Sequence, residues 1–492
     1  MEFAEELRAS LQEFLSWENI EIREKGSRIT AISPLSWEVR GAEGKPLLHL
    51  WGENCNVTRR VLAIADHSTE RLALAVERFG RSRPERLEMI RLNFARAAKD
   101  ISREEFCEQL RRILAEQFPD EIVERMSIAA DLEHSLSRMY VRGIVKRGLV
   151  SCAFLAVPQS QSQDTLESCL TYALLWFDRA RQSAAGSKIT SLRLIVPKGK
   201  ATLLANRLAA LDTQYPVVVY ELDSLSEKLE KVDPCGSGNV SSWLIPRRES
   251  QLLLERAAKD LAALVALAPN CITVHASVQT REVTLRFLGL AFARWQDGHI
   301  YFDVHGLSQK LDVRTELPLR QLIMNLQNFR NPSAKDARHP LYRGQPERWL
   351  QSIIVQDVSR VDISLHPDHL YEQVFAQSGG QRGILDLLGV TRAGRLAILE
   401  LKASENVDLP LQAADYWARI RRHQQAGDFA RYGYFSGITL QPALPLVFLI
   451  SPALHFHPAT DTLLRFLSPE MEIVRIGLAE SWRRGIRVMM RQ

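Results

Sequence analysis

The hydrophobic pattern changes period several times along the chain, and each change predicts a different kind of segment. Residues 1–100 open with an amphipathic helix, MEFAEELRASLQEFL. The short alternating runs that follow (SWEVRG, KPLLHLW, RRVLAIA, RLALAVERF, RLEMIRL) put successive side chains on opposite faces and predict a β-meander. Residues 101–240 read as an α/β segment. A helix (EEFCEQLRRILAEQ) leads into strands YVRGIVKRG and LVSCAFLAV, then a long helix (TLESCLTYALLWFDRAR). Strand SLRLIVP, a further helix and strand PVVVYEL complete it. Residues 241–340 give a helix (ESQLLLERAAKDLAALVAL), strands VTLRFLGLAFARW and HIYFDV, and a helix (LPLRQLIMNLQNF), with Asp297-Gly298 as a hairpin turn. Residues 341–492 start with helix PERWLQSIIVQDVSRV and strands HLYEQVFA, GILDLLGV and RLAILELK. A helix from Leu409, the apolar strand LPLVFLIS, a short helix (ATDTLLRFL) and strand EIVRIGL follow. The turn cluster DPCGSGN (233–239) and the polar stretch NPSAKDARHPLYRGQP (331–346) mark the boundaries. The expectation is an α/β multidomain chain: a β-rich amino-terminal domain, an α/β domain, an α+β domain and a last α/β domain.

The second and fourth segments share one order: helix, strands, helix, strand, helix, strand. They also share a string, Arg142-Gly143-Ile144-Val145 against Arg382-Gly383-Ile384-Leu385. Either the segment was duplicated or two ordinary α/β units coincide. If it was duplicated, Lys146 stands at the position of Asp386, the strand LVSCAFLAV carries no acid, and the upstream copy is a degenerate one.

Charge and composition narrow the partners only slightly. The net charge is +5 and the pI about 8.8, which permits a polyanionic partner without demanding one. The first residues do not resemble a signal peptide, and apolar runs such as LVFLI are too short to cross a bilayer. The six cysteines are scattered with no CxxC pair, so reduced thiols, a cytoplasmic location and no structural zinc are expected. PKGKAT (197–202) lacks the glycine and hydroxyl residue of a phosphate-binding loop. His455 and His457 read as loop histidines.

The candidate chemistry lies in GILDLLGVTRAGRLAILELKASE (383–405). Arg392-Ala393-Gly394 suits a three-residue hairpin loop, so Thr391 pairs with Arg395 and Asp386 falls opposite Glu400. Opposed residues have Cβ atoms about 4.5–5.5 Å apart. Period two puts Asp386, Glu400 and Lys402 on one face, and both faces are otherwise apolar, as in a covered central hairpin. Two carboxylates facing each other there repel and lose hydration, and a divalent cation or a shared proton would relieve them. Lys402 is the single lysine in residues 341–492. On the next helix, Asp408 is placed to cap, and Gln412, Tyr416, Arg419 and His423 form one polar stripe. Arg419, Arg421, Arg422, Arg483, Arg484, Arg487 and Arg491 are candidates for a phosphate-tracking surface.

Asp386, then Glu400-Leu401-Lys402 ending an apolar strand, then Gln412-Ala-Ala-Asp-Tyr416 on a helix, together resemble the PD-(D/E)xK phosphodiesterase superfamily. Within it they are most similar to RecB-like nucleases, whose signature includes a Q-x-x-x-Y helix. Leu385 stands where that motif has proline. The resemblance covers residues 345–480. It implies a restriction-endonuclease-like αβββαβ core and Mg2+ or Mn2+ held by Asp386, Glu400 and the Leu401 carbonyl. It also implies a water-orienting Lys402, Gln412 and Tyr416 on the phosphate backbone, and Glu347 as an accessory acid; Gln373 is a further candidate. The function implied is hydrolysis of DNA phosphodiester bonds, RNA not being excluded, with the upstream domains binding substrate or forming a homodimer. A separate helicase or ATPase would supply any motor, since no such motif is present. The alternative is a catalytically silent nuclease-fold scaffold that binds nucleic acid or protein.

Overall fold

The computed structural model describes residues 2–15, 20–24, 27–31, 36–40, 46–52, 55–67, 71–77, 85–91, 103–131, 133–159, 161–183, 188–224, 226–234, 242–304, 307–372, 374–375 and 386–492. Among the described residues the chain is a mixed α/β protein with four sheets. The amino-terminal helix Glu2–Leu15 covers a seven-stranded antiparallel sheet with its own core. This sheet includes the hairpin Ile20–Glu24/Ser27–Ala31, which the alternating runs did not predict. The middle sheet has five antiparallel strands. Its predicted strand VTLRFLGLAFARW is instead a hairpin, Glu282–Phe287 and Leu290–Gln296, because Leu288 and Gly289 both take positive φ (44° and 82°). The Asp297-Gly298 turn forms as predicted, with φ of 48° and 78°.

The two six-stranded sheets position the candidate site. The upstream unit runs α1 (Arg103–Gln117), β1 (Ile122–Ser127), β2 (Val141–Arg147), β3 (Val150–Ala156), α2 (Gln163–Ser183), β4 (Lys188–Pro197), α3 (Ala205–Ala209), β5 (Val217–Asp223) and β6 (Lys228–Val232). The carboxy-terminal unit runs α4 (Pro346–Gln356), β7 (Leu365–Tyr371), β8 (Leu387–Thr391), β9 (Leu396–Leu401), α5 (Leu409–Gln425), β10 (Leu446–Pro452), α6 (Thr460–Leu464), β11 (Ile473–Leu478) and β12 (Val488–Arg491). In both sheets the strands lie side by side in chain order. Both pair antiparallel, antiparallel, parallel, parallel, antiparallel.

Hydrogen bonding aligns the two units residue by residue. Val157 N donates to Ile195 O at 2.9 Å, and Lys402 N donates to Ile450 O at the same distance. Two residues further on, Pro197 pairs with Leu222 and Pro452 with Leu478. Val157 is therefore the counterpart of Lys402, and Leu155 that of Glu400. Leu155 pairs with Arg142, so Arg142, not Lys146, is the counterpart of Asp386. The string match had set the alignment four residues out of step, and its second half, 382–385, lies outside the described residues.

The units also face each other reciprocally. Leu211, just after α3, bridges antiparallel to Leu467, just after α6. Asp212 N donates to Phe466 O (2.9 Å) and Ser468 N to Ala210 O (2.8 Å). Helix α5 packs on α3 while α2 packs on α6. Equivalent elements meeting in this way define an approximate twofold relation within one chain.

Both faces of the carboxy-terminal sheet are covered, which is why β8 and β9 are apolar apart from Thr391 and Glu400. Leu388, Val390, Leu396 and Ile398 share a core with Leu174 and Phe177 of α2. Leu387, Ala397, Leu399 and Leu401 share another with Trp349 of α4 and Phe287 and Phe302 of the middle sheet. The stretch 331–346 does not separate domains loosely. Arg330 is fully buried and donates to the carbonyls of Leu288, Leu341 and Gly344 at 2.7–2.8 Å. Gly289 lets the middle sheet approach α4 closely: a Cβ there would lie 2.1 Å from Arg348 O.

Candidate active site

The hairpin register is the one the turn residues predict. Thr391 N donates to Arg395 O (2.7 Å), and pairing continues to Leu387 with Leu399. Gly394 takes φ of 89°, and its missing Cβ leaves room for the Thr439 carbonyl. One step past the last pair, Asp386 comes opposite Glu400. Asp386 Oδ2 accepts from Leu401 N at 2.8 Å, which fixes the carboxylate beside the end of β9.

Glu400 is only 2% exposed. Its Oε1 accepts from Lys402 Nζ at 3.1 Å, while its Oε2 is enclosed with no hydrogen-bond partner. Burial and then the Asp386 charge push the Glu400 carboxyl up to about 8, against the pull of Lys402. Burial likewise raises Asp386, with Lys402 opposing. Burial would lower the Lys402 ammonium, but Glu400 and Asp386 outweigh it and hold it raised. Glu347, in the first turn of α4, acts electrostatically on all three.

Helix α5 supplies the next group. Tyr416 is buried, and its hydroxyl is pushed well above its ordinary value by burial, then by Glu400 and Asp386. No hydrogen bond joins Gln412, one turn earlier, to the carboxylates. The rest of the predicted stripe serves packing rather than solvent. Arg419 lies 2.7 Å from Asp415, and His423 sits between Ser242 (2.8 Å) and Asp428 (2.7 Å). Asp408 does not cap α5 with its side chain. It is drawn instead into a buried ion pair with Arg207 of the upstream unit (2.9 and 3.0 Å) and accepts from the Thr171 hydroxyl.

The predicted arginine surface is also largely committed elsewhere. Arg421 pairs with Glu470 (3.1 Å), Arg491 with Asp362 (3.1 Å), and Arg422 with Asn206. Arg483 stacks 4.2 Å from the Trp482 ring centre. His455 and His457 diverge, toward Glu480 (3.2 Å) and Glu405 (3.7 Å). Gln373 lies outside the described residues.

Two residues of α4 escaped the sequence reading. Gln351 donates through Nε2 to the Asp386 carbonyl (3.2 Å) and accepts from Arg348 (2.7 Å). Arg348 also lowers the Asp386 carboxyl electrostatically. Their signal was helical spacing: Gln351 is four residues after Glu347 and shares its face.

The arrangement suits a cation. A buried carboxylate oxygen with no donor, beside a second carboxylate, is the donor set a hard divalent ion takes. Among the described residues no three His, Cys, Asp or Glu side chains form a metal-holding group by themselves. An ion here would use Asp386, Glu400 and main-chain or water oxygens. No family model matches the chain, and no curated protein matches its sequence. Among the described residues no helix is long and apolar enough to cross a membrane.

Proposed function

We propose that the chain is a metal-dependent nuclease that hydrolyses DNA phosphodiester bonds through its carboxy-terminal unit, built on a restriction-endonuclease-like core. One observation carries the reading: Glu400 Oε2, buried and without a partner, next to the facing carboxylate of Asp386. Leaving a charged oxygen in that state costs several kcal/mol unless a cation or a proton meets it (~1–3 kcal/mol for a neutral polar group, more for a charge).

Asp386, Glu400 and the Leu401 carbonyl would hold Mg2+ or Mn2+, with Glu347, whose charge acts on Asp386, Glu400 and Lys402, as the accessory acid. The ion would supply Lewis acidity and a hydroxide-like nucleophile at neutral pH. Lys402, pinned by Glu400 at 3.1 Å, orients the attacking water and offsets charge developing on the phosphoryl oxygens. Tyr416, kept protonated by burial beside two carboxylates, donates to a phosphate oxygen. Gln412 reaches the adjoining backbone. Hydrolysis adds water across one P–O ester bond, the water oxygen to phosphorus and its protons to the leaving oxygen and solvent.

The test is cleavage of single-stranded, duplex and branched DNA, and of RNA, with and without Mg2+ or Mn2+. Cleavage that needs the ion and disappears in Asp386→Ala and Lys402→Ala supports the proposal. Undiminished cleavage in Lys402→Ala refutes the site, and binding without cleavage under every condition points to the silent scaffold.

A further inference from the structure

A cavity of about 370 Å³ opens where the middle sheet meets α4. Its polar wall comprises His275, Arg286, Arg348, Gln351 and Glu372. Gln351 is also the side chain that holds the Asp386 carbonyl, so cavity and site share a wall. The acid in this wall is already committed: Glu372 Oε2 lies 2.8 Å from His275 Nδ1 and 3.3 Å from Arg286. One carboxylate thus faces two guanidinium groups and an imidazole. Burial pushes the Arg286 guanidinium down to about 10, with Glu372 opposing and Arg348 adding repulsion. The wall is short of negative charge. The opposite lining is mostly aliphatic, with Val265, Ile272, Val274 and Val355, and Thr273, Ser352 and Gln356 complete it. A cationic wall joined to an apolar one fits a ligand with an anionic group and a flat apolar body, and the volume lies in the range of small-ligand sites (roughly 300–1,000 Å³).

We propose that this cavity binds one nucleotide of the substrate strand, the one adjoining the scissile bond, with its phosphate on Arg286 and Arg348 and its base against the valine wall; the assignment rests on the nuclease reading of the neighbouring carboxylates. Arg348 then has two duties, since its charge also acts on Asp386. Gly289, where the middle sheet packs against the Arg348 backbone, lines the same cavity.

The experiment is calorimetric titration of the full chain with a deoxynucleoside 5′-monophosphate in EDTA, where the carboxylate site has no ion. Parallel titrations use the nucleoside without phosphate and inorganic phosphate alone. Binding of the monophosphate that exceeds both controls, weakens about tenfold in Arg348→Gln (one charge-assisted contact,) and vanishes in Val355→Trp is the expected result. Val355→Trp fills the space without removing a charge, and its denaturation midpoint is measured alongside to establish that it folds. Equal affinity for inorganic phosphate and the monophosphate overturns the nucleotide assignment, as does wild-type affinity in Val355→Trp or no binding to the wild type. The nuclease reading is judged separately by cleavage. Nucleotide binding without cleavage in any condition would leave the cavity standing and remove the nuclease.

Discussion

The upstream and carboxy-terminal α/β units use one frame for opposite ends. Where the carboxy-terminal unit places Asp386, Glu400 and Lys402, the upstream unit places Arg142, Leu155 and Val157. Leu155 and Val157 are core residues. Arg142 is buried, donates to the carbonyls of Ala129 and Ser137, and lies beside the Trp176 ring. The upstream frame is thus closed by apolar packing and a satisfied guanidinium, while its counterpart keeps a buried carboxylate oxygen with no donor. The same sheet order and the same helices fold without the charges, so the charges are not what the fold requires. Departures from a satisfied core that a fold does not need are expected at functional sites.

The sharpest way to break this comparison is to ask which unit cuts. Asp386→Ala removes a proposed metal ligand and should lower metal-dependent cleavage by about 10³-fold or more, the scale of losing one electrostatic contributor in a dry site. Lys146→Ala, at a half-buried position of β2 in the upstream unit, should change it less than about twofold, as changes away from a site do. Substantial cleavage left in Asp386→Ala would place the chemistry elsewhere.

The next effect concerns what holds the units together. Asp408 and Arg207 are buried and bidentate. Asp408→Ala leaves the buried Arg207 charged and without its bidentate carboxylate and should cost about 3–5 kcal/mol in denaturant unfolding. A loss under about 1 kcal/mol, the scale of an exposed pair, would mean that the reciprocal contacts at Leu211 and Leu467 suffice alone. A third, smaller effect is seen in products. One chain contains two frames but one charged site, so a supercoiled plasmid should yield open circles well before linear molecules. Linear product appearing at the rate of open circles would require a second active site, from the upstream unit or another chain.

Much of the site was legible because its determinants are local. Arg392-Ala393-Gly394 sets the turn, the turn sets the register, and the register brings Asp386 opposite Glu400. The polar stripe that begins at Gln412, ten residues after Lys402, is expected to overhang this end of the hairpin, and its Tyr416 is buried where Glu400 and Asp386 act on the hydroxyl. What failed was non-local. Asp408 has every local property of a helix cap, but Arg207, far upstream, outcompetes the helix amides for its oxygens. The apolar strands announced cover on both faces, yet nothing local says that α2 covers one and the middle sheet the other. The closing strands β6 (KLEKV) and β12 (VMMR) were missed because edge strands this short carry little alternation. The alignment of the two units failed because a four-residue string is weaker than a hydrogen-bond ladder.

The smallest predicted effect tests the cause of the asymmetry itself. Glu400 has its folded value raised from the ordinary 4.5 to about 8, and Asp386 is raised as well. A raised carboxyl favours the protonated fold, so its stabilisation is complete at acid pH and is lost as pH climbs through the folded value. In EDTA the wild-type protein should therefore lose stability between about pH 5 and 8. Asp386→Asn removes one of the two facing charges and keeps an oxygen to accept from Leu401 N. It should flatten that slope and leave the metal-free protein about 1 kcal/mol more stable at pH 8, on the scale of one pKa unit. Saturating Mg2+ should reverse the order, because an ion that binds only the folded state stabilises only the protein that can hold it. Thermal unfolding of both proteins across pH, with EDTA and with Mg2+, measures each term. Identical slopes in EDTA would mean that the two carboxylates do not oppose each other, and that the contrast with Leu155 and Arg142 is one of packing alone.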